Sequence, residues 1–297
     1  MKSSLSSRLL IGMCVLPLGL VAGPAQASPS TGGITGQWLI ERADKPGFIS
    51  LTIQRRRDHG GGHMSSGDDT PASIVRGLDW KQADSAAGAT VRFQIARDAG
   101  TFQCEGWFRS GKGSGHFTFA PAASFAADMR ALGYGDLSQE QMFTLAVHDV
   151  SRALIRDYAR LGYPRIELDK LVAMRIHRVT PAYIRELAAL GYSKVDVDKL
   201  VAMRIHGVSP AEIRKLRALG YPRLDTDKLV AFRIHGVSPE FVEDVRAEGY
   251  RGVPADKLVA MRIHGVSPDF IQRLKKRGYA RLSVDELISL KIHGVAR

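Results

Sequence analysis

Cysteine is almost missing from this 297-residue chain, which holds only Cys14 and Cys104. Cys14 falls in a stretch expected to be removed, so one thiol remains and no internal disulfide can form. The fold must then rest on packing alone. Cys104 reads as a buried strand thiol, because no His or Lys stands beside it to lower its pKa. Long apolar runs are missing as well. The most apolar stretch, Leu9 to Ala22, has 14 residues, short of the roughly 18–20 that span a bilayer. Lys2 and Arg8 flank its start, and Ala25-Gln26-Ala27 forms an A-x-A cleavage pattern after it. Residues 1–27 are therefore expected to be a signal peptide, with an uncleaved anchor as the alternative. Met13 before Cys14 argues against lipid attachment. The product is expected to be periplasmic or secreted, and not transmembrane after signal cleavage.

Catalytic motifs are scarce too. There is no H-E-x-x-H and no G-x-S-x-G. The run from Gly106 to Lys112 follows a Walker A pattern until Gly113 stands where Ser or Thr is required, and it lies between strands instead of before a helix. His59-Gly60-Gly61-Gly62 resembles a lipase oxyanion loop without a nucleophile elbow to serve. His59 and His63 with Asp58, Asp68 and Asp69 offer metal ligands, but on a Gly-rich loop that does not preorganise them. A metal-dependent hydrolase would need that loop to order around an ion. The expectation is a chain that is not an enzyme, with no cofactor.

What the sequence does have is a beat of 29 residues. His148, His177, His206, His235, His264 and His293 keep it, and so do the Gly-Tyr pairs from Gly133-Tyr134 to Gly278-Tyr279. Two unrelated markers in one register over six copies define a repeat array. Within a copy, Thr180-Pro181 reads as an N-cap followed by the first helical residue, and Ser209-Pro210, Ser238-Pro239 and Ser267-Pro268 repeat it. Gly191 reads as a left-handed cap closing that helix. A second helix starts near Asp196, Asp225 or Ser283, carries an apolar stripe of Leu200, Val201 and Ile205, and ends at His206 and Gly207. Helices this short are marginal alone and need stacked neighbours. Ser138–Gln141 and Ser283–Glu286 fit capping boxes in the end copies.

Before the repeats the pattern is β. Residues 28–36 read as a flexible leader. Gln37–Glu41, Phe48–Gln54, Ala89–Ala96, Thr101–Arg109 and Gly115–Ala120 read as strands, with Ser110–Gly115 as turn material and Trp38, Trp80 and Trp107 as core or rim anchors. Arg55–Pro71 is a solvated excursion. The expected architecture is α+β in two domains: a small antiparallel β-sandwich or half-barrel over residues 37–121, then an α-solenoid of six two-helix repeats over 122–297.

The unit D-K-L-V-A-M-R-I-H-G-V-S-P, at Asp198–Pro210 and Asp256–Pro268, resembles tandem repeats of bacterial envelope proteins and of the C-terminal tails of BlaR-like membrane metallopeptidases. Arg97–Phe102 with Gly113–Phe119 is similar to the β-domain that accompanies them. The peptidase part is absent here, so the resemblance implies an envelope-linked binding or regulatory role and no protease residue. It suggests, as an alternative, a sensor module of an envelope stress pathway.

The formal charge is +12, or +10 without Lys2 and Arg8. Residues 28–121 contribute 11 − 9 = +2, and residues 122–297 contribute 29 − 21 = +8. The excess belongs to the repeats, where Lys170, Arg175, Lys199, Arg204, Lys228, Arg233, Lys257 and Arg262 recur in register. One reading is a basic stripe that binds an envelope protein or an acidic lipid or glycan, with no nucleic acid involved. The other is a solvated face neutralised by Asp169, Asp198, Asp227 and Asp256. The six histidines are expected to serve their helix ends, because stacked pairs stand about 9–10 Å apart, too far to share one ion. Together these observations point to a scaffold that binds protein or polyanion.

Overall fold

The computed structural model describes residues 33–56, 63–64 and 67–294. The expected signal peptide, most of the expected leader, His59 and Val295 lie outside the described residues, and of His63 only its place in a strand is described.

Eight strands form one antiparallel sheet: β1 (Ile34–Arg42), β2 (Phe48–Arg56), β3 (His63–Met64), β4 (Gly67–Pro71), β5 (Val75–Arg76), β6 (Ala89–Arg97), β7 (Gly100–Arg109) and β8 (Lys112–Pro121). Their order is β3-β2-β1-β8-β7-β6-β5, with β4 also paired to β2. Of the two forms expected, this is the half-barrel: among the described residues no second sheet faces the first. Ile34–Gly36 belong to β1 and not to a leader, since Ile34 is buried and pairs with Phe119. The turn expected over Ser110–Gly115 is confined to Ser110 and Gly111, both at positive φ (49° and 76°), as a two-residue hairpin requires. Ile74–Leu78, which could have been a helical turn, is instead the end of a 3₁₀ turn (Ala72–Ile74) and β5.

Alternation sets the two faces. Trp38, Ile40, Ile49, Leu51, Phe93, Ile95, Phe102, Phe108, Phe117 and Phe119 are all buried on one side. The sheet can curl because glycines oppose one another at its middle. Gly106 pairs with Gly115, and a side chain on Gly106 would stand 2.3 Å from the Ser114 oxygen and 2.7 Å from the Trp38 ring. Trp38 lies over that gap and donates its Nε1–H to the carbonyls of His116 (3.1 Å) and Glu105 (3.2 Å). Its ring meets Phe93 edge-on at 4.9 Å and stacks on Phe108 at 5.4 Å. Trp80, on the short helix α1 (Trp80–Ala83), is half-buried, whereas Trp107 is exposed on the opposite face.

The repeats supply twelve regularly spaced helices. They run α2 (Ala123–Ala131) and α3 (Gln139–Val147), α4 (Arg152–Arg160) and α5 (Leu168–Ile176), then α6 (Pro181–Ala189) and α7 (Val197–Ile205). The last three pairs are α8 (Pro210–Ala218) and α9 (Thr226–His235), α10 (Pro239–Ala247) and α11 (Ala255–Ile263), α12 (Pro268–Lys276) and α13 (Val284–Ile292). Thr180, Ser209, Ser238 and Ser267 accept from the third amide of their helices at 3.1–3.2 Å. Gly191, at φ +83°, closes α6: its N–H reaches the Ala188 carbonyl and Tyr192 N–H the Leu187 carbonyl, the paired bonds of a Schellman cap. Both expected capping boxes form.

Successive first helices pack on each other from α4 to α12, and successive second helices from α5 to α13, giving two layers. The Gly-Tyr marker is explained by bonds between copies. Tyr163, Tyr192, Tyr221 and Tyr250 each donate a phenolic hydrogen to the carbonyl 32 residues on, at Val195, Leu224, Val253 and Leu282, over 2.6–2.8 Å.

The first copy joins the sheet directly. Phe143 of α3 sits among Phe119 (5.4 Å), Phe102 and Phe117 (both 6.0 Å). Arg97 pairs with Asp149 at 3.0 Å, and the Asp98 carboxylate accepts from Arg152 N–H at 2.8 Å. Sheet and repeats thus share one continuous core.

Candidate functional site

The second helices carry the residues marked out by sequence. Four of them, α5, α7, α9 and α11, present the same outward set, and in α7 it is Asp198, Lys199, Ala202 and Ile205, with His206 at the cap. The eight cations do line up, but each is tied across a repeat boundary. Lys170 reaches Asp198 (2.7 Å) and Lys199 reaches Asp227 (2.6 Å), while Lys228 and Lys257 pair with Asp256 and Asp285. The neutralising carboxylate therefore belongs to the next copy, which makes Asp285 a partner and leaves Asp169 outside the series. The Asp198 hydrogen bond raises the Lys170 pKa above its ordinary value.

The arginines do something different. Arg175, Arg204, Arg233 and Arg262 donate Nε–H to the carbonyls of His148, His177, His206 and His235, at 2.9, 3.3, 3.0 and 3.2 Å. Those carbonyls end the second helix of the preceding copy, where the helix dipole is negative and orphan acceptors need donors. Arg175 also reaches Asp149 and Arg233 reaches Glu212, and Arg204 and Arg262 lie over the rings of Tyr183 and Phe241. The basic stripe is thus, in large part, the stitching of the solenoid.

His148, His177, His206, His235, His264 and His293 all stand at second-helix ends, one per copy. In His293 the ring acts on its own helix, with Nδ1 2.9 Å from the Ser289 carbonyl oxygen. Among the described residues no three His, Cys, Asp or Glu gather closely enough to hold a metal ion. Cys104 is buried, and burial pushes its thiol up to about 12. The Walker-like run spans β7, the hairpin turn and the start of β8, where Lys112 pairs with Glu41 at 3.1 Å.

One expectation is overturned. Ile205 does not belong to the buried stripe: Leu200 and Met203 are buried, while Ile176, Ile205, Ile234, Ile263 and Ile292 are 53–56% exposed. The angular step of the helix gives the reason. Five residues beyond Leu200, Ile205 is turned about 140° away from it, whereas Met203 is turned only about 60°. The outcome is a ladder of five aliphatic side chains on adjoining helices. Beside it, between α7 and α9, lies a hollow of about 190 Å³ lined by Lys199, Ala202, Val230, Ile234 and His235. The signal was present in the sequence, since an Ile precedes each of the last five histidines.

No helix among the described residues is long and apolar enough to cross a membrane. No family model, curated protein or solved structure matches the chain. The reading of the site therefore rests on its own geometry.

Proposed function

We propose that the chain is a non-enzymatic, exported scaffold whose second-helix layer docks a protein partner through the isoleucine ladder. The observation that carries this is the repetition of exposure itself. Five equivalent isoleucines remain open in five successive copies, while the cations beside them are occupied within the array. A partner surface that covers them gains the hydrophobic free energy the fold leaves unused, on the order of 1 kcal/mol per half-exposed side chain. The occupant that fits is an amphipathic helix or helical edge with aliphatic residues. A polyanion would instead have to compete with the carboxylates and helix-end carbonyls that already hold the stripe.

The test is capture of envelope protein by the full chain, by its Ile205→Asp/Ile234→Asp variant and by a variant with Lys170, Lys199, Lys228 and Lys257 changed to Gln. A protein retained at high salt, unaffected by the lysine changes and lost with the two aspartates supports the reading. Retention that follows salt and the lysines, and ignores the isoleucines, refutes it in favour of polyanion binding. Self-association abolished by the same aspartates refutes the foreign partner and makes a second copy the occupant. Changing the arginines would be uninformative, because they hold neighbouring copies together.

A further inference from the structure

The face of the sheet opposite its aromatic core is polar and concave. Register places ten of its side chains in two cross-strand rows. One row runs Gln54, Gln37, His116, Glu105, Arg92, and the other runs Thr35, Thr118, Gln103, Gln94, Arg76. These residues line a trough of about 1220 Å³. Phe93, Cys104 and Phe117 also line it, and since their side chains are buried on the far side, their backbone forms the floor. The next row along the same face carries Leu39, Ser114 and Trp107. Leu39 and Trp107 are 40% and 47% exposed. Gly88, at φ +79°, lets its backbone lie against the Trp107 ring, where a side chain would stand 2.1 Å from that ring.

The side chains of the four glutamines make no hydrogen bond to any described residue, and among the described residues the one ion pair in the rows is the loose Arg92–Glu105 contact at 3.8 Å. Arg76 has no carboxylate partner among the described residues. Each primary amide offers two donors and an acceptor, and each threonine hydroxyl offers both roles. A sugar hydroxyl is likewise donor and acceptor at once, and the apolar face of a pyranose ring packs on an indole. Adjacent strands are about 4.8 Å apart, so a row of such groups repeats on the scale of a sugar ring. An extended peptide would be served by an open strand edge, whereas the floor of the trough at Cys104 and Phe117 is backbone already paired on both sides.

We propose that this trough binds a linear acidic glycan, with the glutamine and threonine rows holding its hydroxyls, Trp107 as a stacking platform and Arg76 meeting a carboxylate. The site is separate from the isoleucine ladder, so neither proposal depends on the other. Titration calorimetry with the full chain would use three probes of equal length: a uronic-acid oligomer, a neutral N-acetylhexosamine oligomer and an acidic peptide. The uronic-acid oligomer is expected to bind best. Gln37→Ala/Gln103→Ala should weaken it by roughly tenfold or more, on the usual net worth of two hydrogen bonds. Arg76→Gln should erase its advantage over the neutral oligomer, and Trp107→Ala should weaken both. These positions are exposed, and an unchanged melting temperature would show that the fold is intact. If instead the peptide binds as well as the uronic-acid oligomer, or no oligomer binds, or binding survives all three changes, the proposal fails. Binding by the neutral oligomer alone would also overturn it, because Arg76 would then have no role.

Discussion

If the first repeat and the sheet share one core, removing the side chain at their junction should uncouple them. Phe143 is that side chain, with three phenylalanine rings around it and the Arg55 guanidinium 5.6 Å above its ring. Replacing a buried Phe by Ala costs about 3–5 kcal/mol, through lost transfer energy plus the cavity left behind. The upper half of that range applies, because sheet strands on one side and helix on the other prevent collapse. About 4 kcal/mol, at a urea m of about 2–3 kcal/mol/M, lowers a midpoint by roughly 1.3–2 M. The assay needs two probes, and the sequence provides them. Trp38, Trp80 and Trp107 are the only three tryptophans and all lie before the repeats, so indole fluorescence reports the sheet. Helical circular dichroism reports the repeats. In the parent chain the two transitions should coincide. In Phe143→Ala the fluorescence midpoint should fall and separate from the helical one, because distant copies keep their own neighbours. A loss below about 1 kcal/mol with the probes still coincident would refute the shared core.

Two further perturbations test the repeats. Lys194 sits at φ +54°, where its equivalent in a later copy, Gly252, sits at φ +64°; Lys194→Gly should relieve left-handed strain and raise stability by about 0.5–1 kcal/mol after the entropy cost of glycine, read as a higher melting temperature. Alkaline pH should weaken the fold in a defined window. Burial pushes the Tyr158 and Tyr183 phenols from 10.0 up to about 12, while their hydroxyls donate to the carbonyls of Val179 and Val208. The folded chain therefore holds these protons where the unfolded chain has lost them. Stability should stay flat up to about pH 10 and fall from there towards pH 12. Tyr158→Phe should make that fall shallower, and an unchanged slope would remove the phenol from the account.

The repeats were legible because their information is local. A cap, a proline at the first helical position, a glycine at a left-handed stop and the gap before the next copy all lie within one period. Thr180, Pro181 and Gly191 do what their residue types dictate. The bonds that join copies were not legible in the same way. The Tyr192 phenol reaches Leu224 and Arg204 reaches the His177 carbonyl, and nothing within one unit names a partner about 30 residues away. Periodicity showed that the tyrosines and arginines recur, without showing whether they recur for solvent or for the neighbour. For the sheet, alternation marked the strands, and the turn shrank from six expected residues to two because Lys112–Gly115 pair with β7 and β1, partners that the local sequence does not name.

The same distinction decides what the charges mean. A stripe of eight cations in register looks identical in sequence whether it faces a ligand or the adjoining copy, because the carboxylate that answers Lys199 is Asp227, one period on, and not Asp198 beside it. The lysine–aspartate pair recurs at the four boundaries from α5/α7 to α11/α13. Lys170 to Lys257 all find an aspartate ahead of them, whereas in α13 the equivalent lysine position is Glu286, whose carboxylate turns back to cap its own helix at Ser283. In α3 the same position is Gln141, which likewise caps its own helix at Ser138. Where the lysine is present it is spent on the aspartate of the next copy, and where it is absent the residue in its place caps its own helix. The polar rows of the sheet show the opposite pattern. Gln37, Gln54, Gln94 and Gln103 come from four different strands with no period between them, and only the fold brings them to one face. Side chains that recur and are consumed internally build the structure; side chains that converge and are left unspent are where a ligand has something to bind.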